Sequence, residues 1–327
     1  MSLDADYIVD RRRMRRKLTF WRIFAVALAV IAVIGAAMAI RSPNGMIPSA
    51  GPYIARIQID GLIRSNRERV EALERLGRST LAKAVIVHVN SPGGTTGGSE
   101  ELYNALKELK EKKPMVVVVE GLAASGGYIT AMASDHIVAQ SSSLVGSIGV
   151  LFQYPDLSTL LKTVGVKVEE IKSTPLKAAP SPFEPTSPEA RAAIEAVVLD
   201  SYDWFRGLVR ENRKVDGDLL ARVSDGRVFT GRQAIDLKLV DELGDEKQAI
   251  AWLAKEKGVD PKTRVRNYDL EPRFRDLPFL HVAASWVLDA VGLSTWARQF
   301  ETWGTMRAIE RLNLDGLLAL WHPLSAN

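Results

Sequence analysis

Four consecutive valines, Val116–Val119, constrain the fold of this 327-residue chain more than any other feature. Successive side chains of a strand point to opposite faces, so an unbroken apolar run needs cover on both faces, the condition of a central strand in a parallel sheet. The run recurs within an alternating pattern. Apolar strands are predicted over Tyr53–Ile59, Ala84–Val89, Met115–Val119 and His136–Ala139. Between them fall helices near Asn66–Leu76, near Ser99–Lys112 with Leu102, Leu106 and Leu109 at i, i+4 and i+7, and one opening at Ser125. Such alternation predicts an α/β domain of right-handed βαβ units. Beyond Pro188 the pattern turns helical, with Ile194, Val197, Val198, Phe205, Leu208 and Val209 on one face of a long amphipathic helix. Shorter helices are predicted near Gly231–Leu237 and Asp245–Lys255.

Ahead of the domain, residues 1–22 form a basic leader carrying Arg11, Arg12, Arg13, Arg15, Arg16 and Lys17. Residues 23–40 contain no charge, and 18 residues at the helical rise reach about 27 Å, close to the hydrocarbon thickness of a bilayer. Trp21 stands at the interface position, and the basic excess predicts an amino terminus held in the cytoplasm and an exported remainder. A cleavable signal peptide is the competing reading, since Ala37-Met38-Ala39 has the small-x-small pattern. A Pro/Gly/Ser/Asn-rich linker is expected over 41–52, the folded domain over 53–256, and an extension with amphipathic helices and four tryptophans over 257–327. The basic run has no accompanying nucleic-acid module, so no nucleic-acid partner is read. The absence of cysteine excludes a disulfide framework, a thiol nucleophile and a cysteine-based metal site.

Two glycine-rich turns follow consecutive strands: Asn90-Ser91-Pro92-Gly93-Gly94 and Gly121-Leu122-Ala123-Ala124-Ser125-Gly126-Gly127. Both fall at the carboxyl ends of parallel strands, where open α/β sheets place their ligands. A serine at a strand-to-helix turn can present its hydroxyl beside free backbone amides. The N–H of Gly126 with one from Gly93 or Gly94 can form an oxyanion hole, worth roughly 3–4 kcal/mol per donor. The plain structural alternative is that the glycines serve tight turns and Ser125 caps a helix. A serine hydroxyl needs a base. None of the four histidines (His88, His136, His281, His322) has an evident acidic partner in sequence, which turns attention to lysine. A lysine acts as base once burial lowers its pKa. Lys177 lies among Leu176, Ala178, Ala179 and Pro180, but Lys162, Lys167 and Lys172 are nearby and the residues alone do not choose between them.

Taken in order, Asn90–Gly94, Ala123-Ala124-Ser125-Gly126-Gly127-Tyr128, Gly146-Ser147-Ile148-Gly149-Val150 and Ile171-Lys172-Ser173 through Lys177 resemble the single-domain form of the signal peptide peptidase A (SppA) family. Asp225–Gly231 with Ala234 and Leu239-Val240-Asp241 is similar to that family's helical segment after the catalytic pair. The resemblance implies a ClpP/crotonase-like fold and a Ser–Lys dyad that maps to Ser125 as nucleophile and Lys177 as base, with Ser147 hydrogen-bonding the lysine. It also implies no cofactor or metal, a homo-oligomer whose active sites are completed between protomers, and cleavage of extended remnant signal peptides at the bacterial cytoplasmic membrane. The sequence departs from the family in having Thr174-Pro175 where glycine commonly follows the serine. Alternative readings are a crotonase-like acyl-CoA enzyme, an inactive membrane-tethered scaffold of the same fold, and a relative that trims one membrane protein.

Overall fold

The computed structural model describes residues 17, 20–24, 26, 27, 51–270 and 318–321. The chain divides into two units, 1–51 and 52–327. In the first, residues 20–24, 26 and 27 are helical; most of the predicted membrane span at 23–40 and of the linker lies outside the described residues. Among the described residues no helix is long and apolar enough to cross a membrane.

The second unit runs β1 (Tyr53–Ile63), α1 (Arg67–Arg78), β2 (Ala82–Thr95), α2 (Thr96–Lys112), β3 (Met115–Ala124), α3 (Gly126–Ala131), β4 (His136–Ala139) and β5 (Leu144–Gly146). It continues with α4 (Ser158–Thr163), α5 (Pro188–Arg213), α6 (Gly217–Val223), β6 (Val228–Thr230), α7 (Gly231–Asp236), β7 (Glu242–Leu243), α8 (Glu246–Lys257), β8 (Arg264–Asn267) and β9 (Leu318–Leu320). The described strands form one sheet in the order β6-β5-β3-β2-β1-β8, with β4 between β3 and β7, and β9 on β2. All pairings are parallel except β5 with β6 and β2 with β9.

Both faces of the central strands are covered, as the valine run requires. Val117 and Val119 join Val85, Val87 and Val89 in the larger core, closed by Leu73 and Leu76 of α1 and Leu102, Leu106 and Leu109 of α2. Val116 and Val118 face the other way, against Ile54, Ile86 and the α8 residues Ala249 and Leu253. Each such fully buried aliphatic side chain contributes about 1.5–3 kcal/mol. Local chemistry sets the helix starts. Asn66 Oδ1 accepts the Arg69 amide at 3.1 Å, and reciprocal capping boxes open α7 (Thr230 with Gln233) and α8 (Asp245 with Gln248).

Three expectations need correction. The glycine-rich stretches are not loops: β2 continues through Pro92-Gly93-Gly94 and β3 through Gly121 to Ala124. Their strands stay paired because β1 is also long, matching Leu62 with Gly93 and Ile63 with Gly94 after a register shift. A Cβ on Gly94 would stand 1.8 Å from the Ile63 carbonyl oxygen, so glycine is what permits that approach. Second, Val228–Thr230, within the segment read as helical, is a strand hydrogen-bonded to β5, and the helix begins only at Gly231. Third, the described part of the C-terminal extension contains strands in place of helices: β8 lengthens the sheet beside β1, and β9 lies on β2. The rest of that extension, with Trp286, Trp296 and Trp303, is outside the described residues. The long helix α5 is present, but only Ala190, Phe205, Leu208 and Val209 are buried, while Val197 and Leu199 are exposed.

The close approach at Gly94 gives a stability contrast. Gly94→Ala is expected to destabilise by about 1–3 kcal/mol through forced backbone displacement. Gly97→Ala, on an exposed helical turn with nothing within 4 Å, is expected to be neutral or stabilising by up to about 1 kcal/mol. Urea unfolding of both variants checks this, and equal effects would contradict the packing account.

Candidate active site

Ser125 occupies the junction between β3 and α3 with φ 53° and ψ −117°, a conformation that costs a non-glycine residue strain. It is held from both sides. Its N–H donates to the Gly146 carbonyl at 2.7 Å, and its carbonyl accepts from Tyr128 and Ile129 at 2.9 and 3.0 Å. Its side chain makes no capping hydrogen bond, which removes the plain helix-cap explanation for a serine here. Oγ instead lies 3.5 Å from the Gly149 carbonyl oxygen. The strained turn is the arrangement that lifts a nucleophile above a sheet.

The surrounding backbone is tight. Gly127 packs on β2 so closely that a Cβ would reach 2.6 Å from the Ser91 carbonyl oxygen. Tyr128 anchors α3 from inside the core, donating its hydroxyl to the Leu239 carbonyl at 2.7 Å, and burial raises its phenol pKa. As the opening residue of α3, Gly126 has an amide with no acceptor within its own helix. The Gly93 N–H, by contrast, is donated to Ser91 Oγ at 3.1 Å. Of the two donors the sequence left open on β2, Gly93 is therefore engaged internally.

Ser147 follows β5 with φ 49°, is 8% exposed, and donates its N–H to Arg227 O at 2.8 Å. The Asp225–Gly231 stretch thus braces the Gly-Ser-Ile-Gly segment: Phe229 and the Arg227 carbonyl flank Gly146, where a Cβ would meet Phe229 at 3.1 Å. Lys177 sits in a turn closed by its own N–H to Thr174 O at 3.0 Å, followed by Ala178 at φ 59°. In this single chain Lys177 is exposed and makes no bond with Ser125. The burial read from its apolar neighbours is not provided by its own protomer.

The competing bases have other engagements. Lys172 bonds to Glu170 at 2.7 Å and Glu184 at 2.6 Å. Those hydrogen bonds, Glu170's first, raise its pKa and hold the ammonium form. It lies in the wall of a cavity of about 450 Å³ shared with Glu170, Pro175, Phe183 and Glu184. The two histidines among the described residues, His88 and His136, do have acidic partners, contrary to the sequence reading. His136 stacks on Trp252 at 4.7 Å with Nε2 3.2 Å from Glu242. His88 lies between two glutamates, Nδ1 2.9 Å from Glu120 and Nε2 2.7 Å from Glu246. Ionised carboxylates only accept, so this placement favours the imidazolium form, and both ring nitrogens are engaged by glutamates instead of a serine. These partners come from strands and helices distant in sequence, which is why spacing gave no sign of them.

The Arg56–Glu246–His88–Glu120 chain is a charge network on the α8 side of the sheet. Arg56 donates to Glu246 through Nε at 2.6 Å and to Asn267 at 3.0 Å. The His88 hydrogen bond, then that of Arg56, lowers the Glu246 pKa to about 2. Burial pulls His88 down, but the Glu246 hydrogen bond and the charges of Glu120 and Glu246 outweigh it, leaving its pKa above the ordinary 6.5.

The α/β sheet and its serine turn belong to a recognisable class. The Clp protease family model matches residues 60–143, which span β2, β3 and the Ser125 turn, and the fold is ClpP-like. The model of peptidase family S49 matches residues 107–260. A Synechocystis sp. chain provisionally named a protease, slr0021, is 39% identical over 210 residues, 64% of this chain and 76% of that one. An Enterococcus faecium chain provisionally named signal peptide peptidase SppA is 34% identical over 68% of this chain and 64% of its own length. The chloroplastic serine protease SPPA of Arabidopsis thaliana is 34% identical over 71% of this chain, which spans only 33% of it. The chain belongs to peptidase family S49, the SppA-like proteases.

The charge network predicts a pH-dependent stability. Because the folded pKa of Glu246 is depressed, its contribution is present above the ordinary carboxyl value of 4.5 and lost as pH falls toward about 2. Because that of His88 is raised, its contribution is full below 6.5 and lost as pH rises through the raised value. The melting-temperature difference between the native protein and Glu246→Gln is therefore expected to peak between about pH 4.5 and 6.5 and to shrink on both sides. Thermal unfolding from below pH 4.5 to above pH 6.5 checks it; a difference independent of pH would refute the linkage.

Proposed function

We propose that this protease is a serine endopeptidase in which Ser125 is the nucleophile and Lys177 the general base, the lysine being delivered to a neighbouring protomer's serine. The observation that carries the reading is the strained Ser125 backbone, held by Gly146, Tyr128 and Ile129 while the side chain caps nothing. Neither an acyl-CoA enzyme nor an inert scaffold gives a reason to maintain a serine in that conformation.

In the proposed reaction Ser125 Oγ attacks the scissile carbonyl as the neutral Lys177 amine takes its proton, and the amine later returns it to the leaving nitrogen. The amides of Gly126 and Gly94 stabilise the oxyanion, Gly93 being engaged by Ser91. Ser147, just after β5, hydrogen-bonds the incoming amine and helps to hold it neutral. Packing of a second copy supplies the apolar cover under which a lysine serves as base. Exposed Leu176, Ile171, Val168, Val166, Val164 and Leu160 on the same excursion support burial of this region in a homo-oligomer. Anchoring through residues 23–40 in the bacterial cytoplasmic membrane, with the domain outside the cytoplasm and remnant signal peptides as substrates, completes the proposal.

Hydrolysis of a small apolar peptide ester tests it. Ser125→Ala is expected to abolish turnover and Lys177→Ala to lower kcat on the order of 10²–10⁴-fold, with Lys172→Ala close to native. Two inactive variants, Ser125→Ala and Lys177→Ala, assembled together from denatured subunits, are expected to recover up to about a quarter of native activity, because mixed neighbours rebuild intact sites. Full activity of Ser125→Ala would end the assignment, and no recovery on mixing would place serine and lysine in one protomer.

A further inference from the structure

Between Leu151 and the start of α5 the chain makes an excursion from the sheet that carries α4 and Lys177. Around the lysine this excursion has little to hold it. Within 171–180 the backbone closes two hydrogen bonds, from the Lys177 N–H to Thr174 O at 3.0 Å and from the Ala179 N–H to Leu176 O at 3.2 Å. Ile171 and Leu176 are exposed, and Lys177 with them. Two turn hydrogen bonds without packing do not hold an amine to the roughly 0.5 Å that a catalytic group requires.

The loop is fastened at its base instead. Ser181 is 4% exposed, and its hydroxyl is used twice: it donates to Glu170 Oε1 at 2.9 Å and accepts the Phe183 N–H at 3.3 Å. The next residue is tied to the other side of the excursion, the Pro182 carbonyl accepting the Leu157 N–H at 2.8 Å. Tyr154 and Thr186 join the same two stretches through their hydroxyls at 2.6 Å. Ser181 therefore stands where three segments meet: the one leading into α4, the one entering the lysine loop and the one leaving it. Lys172 holds the other oxygen of Glu170 at 2.7 Å. A hydroxyl needs no cation to donate, so the Ser181–Glu170 bond survives loss of Lys172, in keeping with near-native activity for Lys172→Ala.

We infer that Ser181 is a positioning residue for the Lys177 base: with Glu170 it staples the base of the lysine loop and so fixes where the amine arrives at a neighbour's Ser125. The inference rests on the proposed Ser125–Lys177 peptidase. Glu170 and Ser181 are eleven positions apart, and loss of the hydroxyl frees the stretch between them while leaving Lys177 chemically intact. Misplacement of a reacting group by about 1 Å costs up to about 10²-fold in rate. The serine turn and its groove are untouched, so the loss falls on kcat and leaves KM close to native.

Because the lysine of one protomer serves the serine of another, subunit mixing assigns a defect to one side of the site. Ser181→Ala is expected to lower kcat on a small apolar peptide ester roughly 10–100-fold with KM within about threefold of native. Ser181→Thr, which keeps the hydroxyl, is expected to stay within about threefold of native in both. Assembled from denatured subunits together with Ser125→Ala, Ser181→Ala is expected to rise toward about a quarter of native activity, since one partner supplies sound loops and the other sound serines. Assembled with Lys177→Ala it is expected to gain nothing, because every loop is then defective. Recovery with Lys177→Ala, or equal behaviour of the two mixtures, overturns the inference and leaves Ser181 a plain structural residue. Hydrogen exchange over residues 170–182 of the assembled protein reads the staple without catalysis. Faster exchange is expected in Ser181→Ala and native exchange in Ser181→Thr; unchanged exchange in Ser181→Ala overturns the staple. Faster exchange with no hydrolysis by any form, native included, withdraws the peptidase reading and the positioning role with it, the staple itself standing. If Ser125→Ala and Lys177→Ala do not recover together, delivery between protomers falls, and the kcat loss at constant KM decides: its absence overturns the inference.

Discussion

The 2.7 Å hydrogen bond from the Ser125 amide to the Gly146 carbonyl is the contact on which the rest of the candidate site depends. It couples the end of β3 to the end of β5 at a non-glycine residue with positive φ. A positive φ at a serine costs of order 1–3 kcal/mol and persists only where neighbours over-determine it. Here they do: Gly146 is pinned by Phe229 and the Arg227 carbonyl, Ser147 by Arg227, and Tyr128 by Leu239. The sheet divides at β3 to make this possible. Residues Val116–Val119 pair with β4, and Leu122–Ala124 with β5, so the strand's last three residues leave one neighbour and join another just before the turn.

Periodicity made the layered α/β core legible because burial on both faces leaves only apolar residues, and the strands around Val87, Val117 and Ile137 were readable for that reason. The serine turn was legible as chemistry because small residues around one hydroxyl have few structural uses. What spacing did not carry was any contact made across the sheet. His88 looks like an ordinary strand residue until β3 and α8 bring Glu120 and Glu246 to its two nitrogens. Likewise Arg264-Val265-Arg266-Asn267 contains a single apolar residue and gave no strand signal, although β1 offers it an open edge. The glycine-rich segments look like turns in sequence because glycine is common to loops and to closely approaching strands; Ile63 beside Gly94 decides between them.

Charge is distributed so as to separate the lysines. Lys172 has two glutamates and is fixed as a cation, whereas Lys177, five residues on, is left exposed in a tight turn. A residue already neutralised by carboxylates gains nothing from apolar cover, while an exposed ammonium responds strongly to being covered. In the proposed homo-oligomer, a second copy packed over exposed Leu176 would cover its neighbour Lys177 as well.

The continuation of β2 through Gly93 and Gly94 has a wider consequence. A groove edged by strand backbone makes its first demand on the main chain of whatever enters, and only afterwards on side chains. Polypeptide already committed to helices or to its own sheets has no spare amides and carbonyls to offer there. Conformation of the client, more than its sequence, is the first sieve that such an edge imposes.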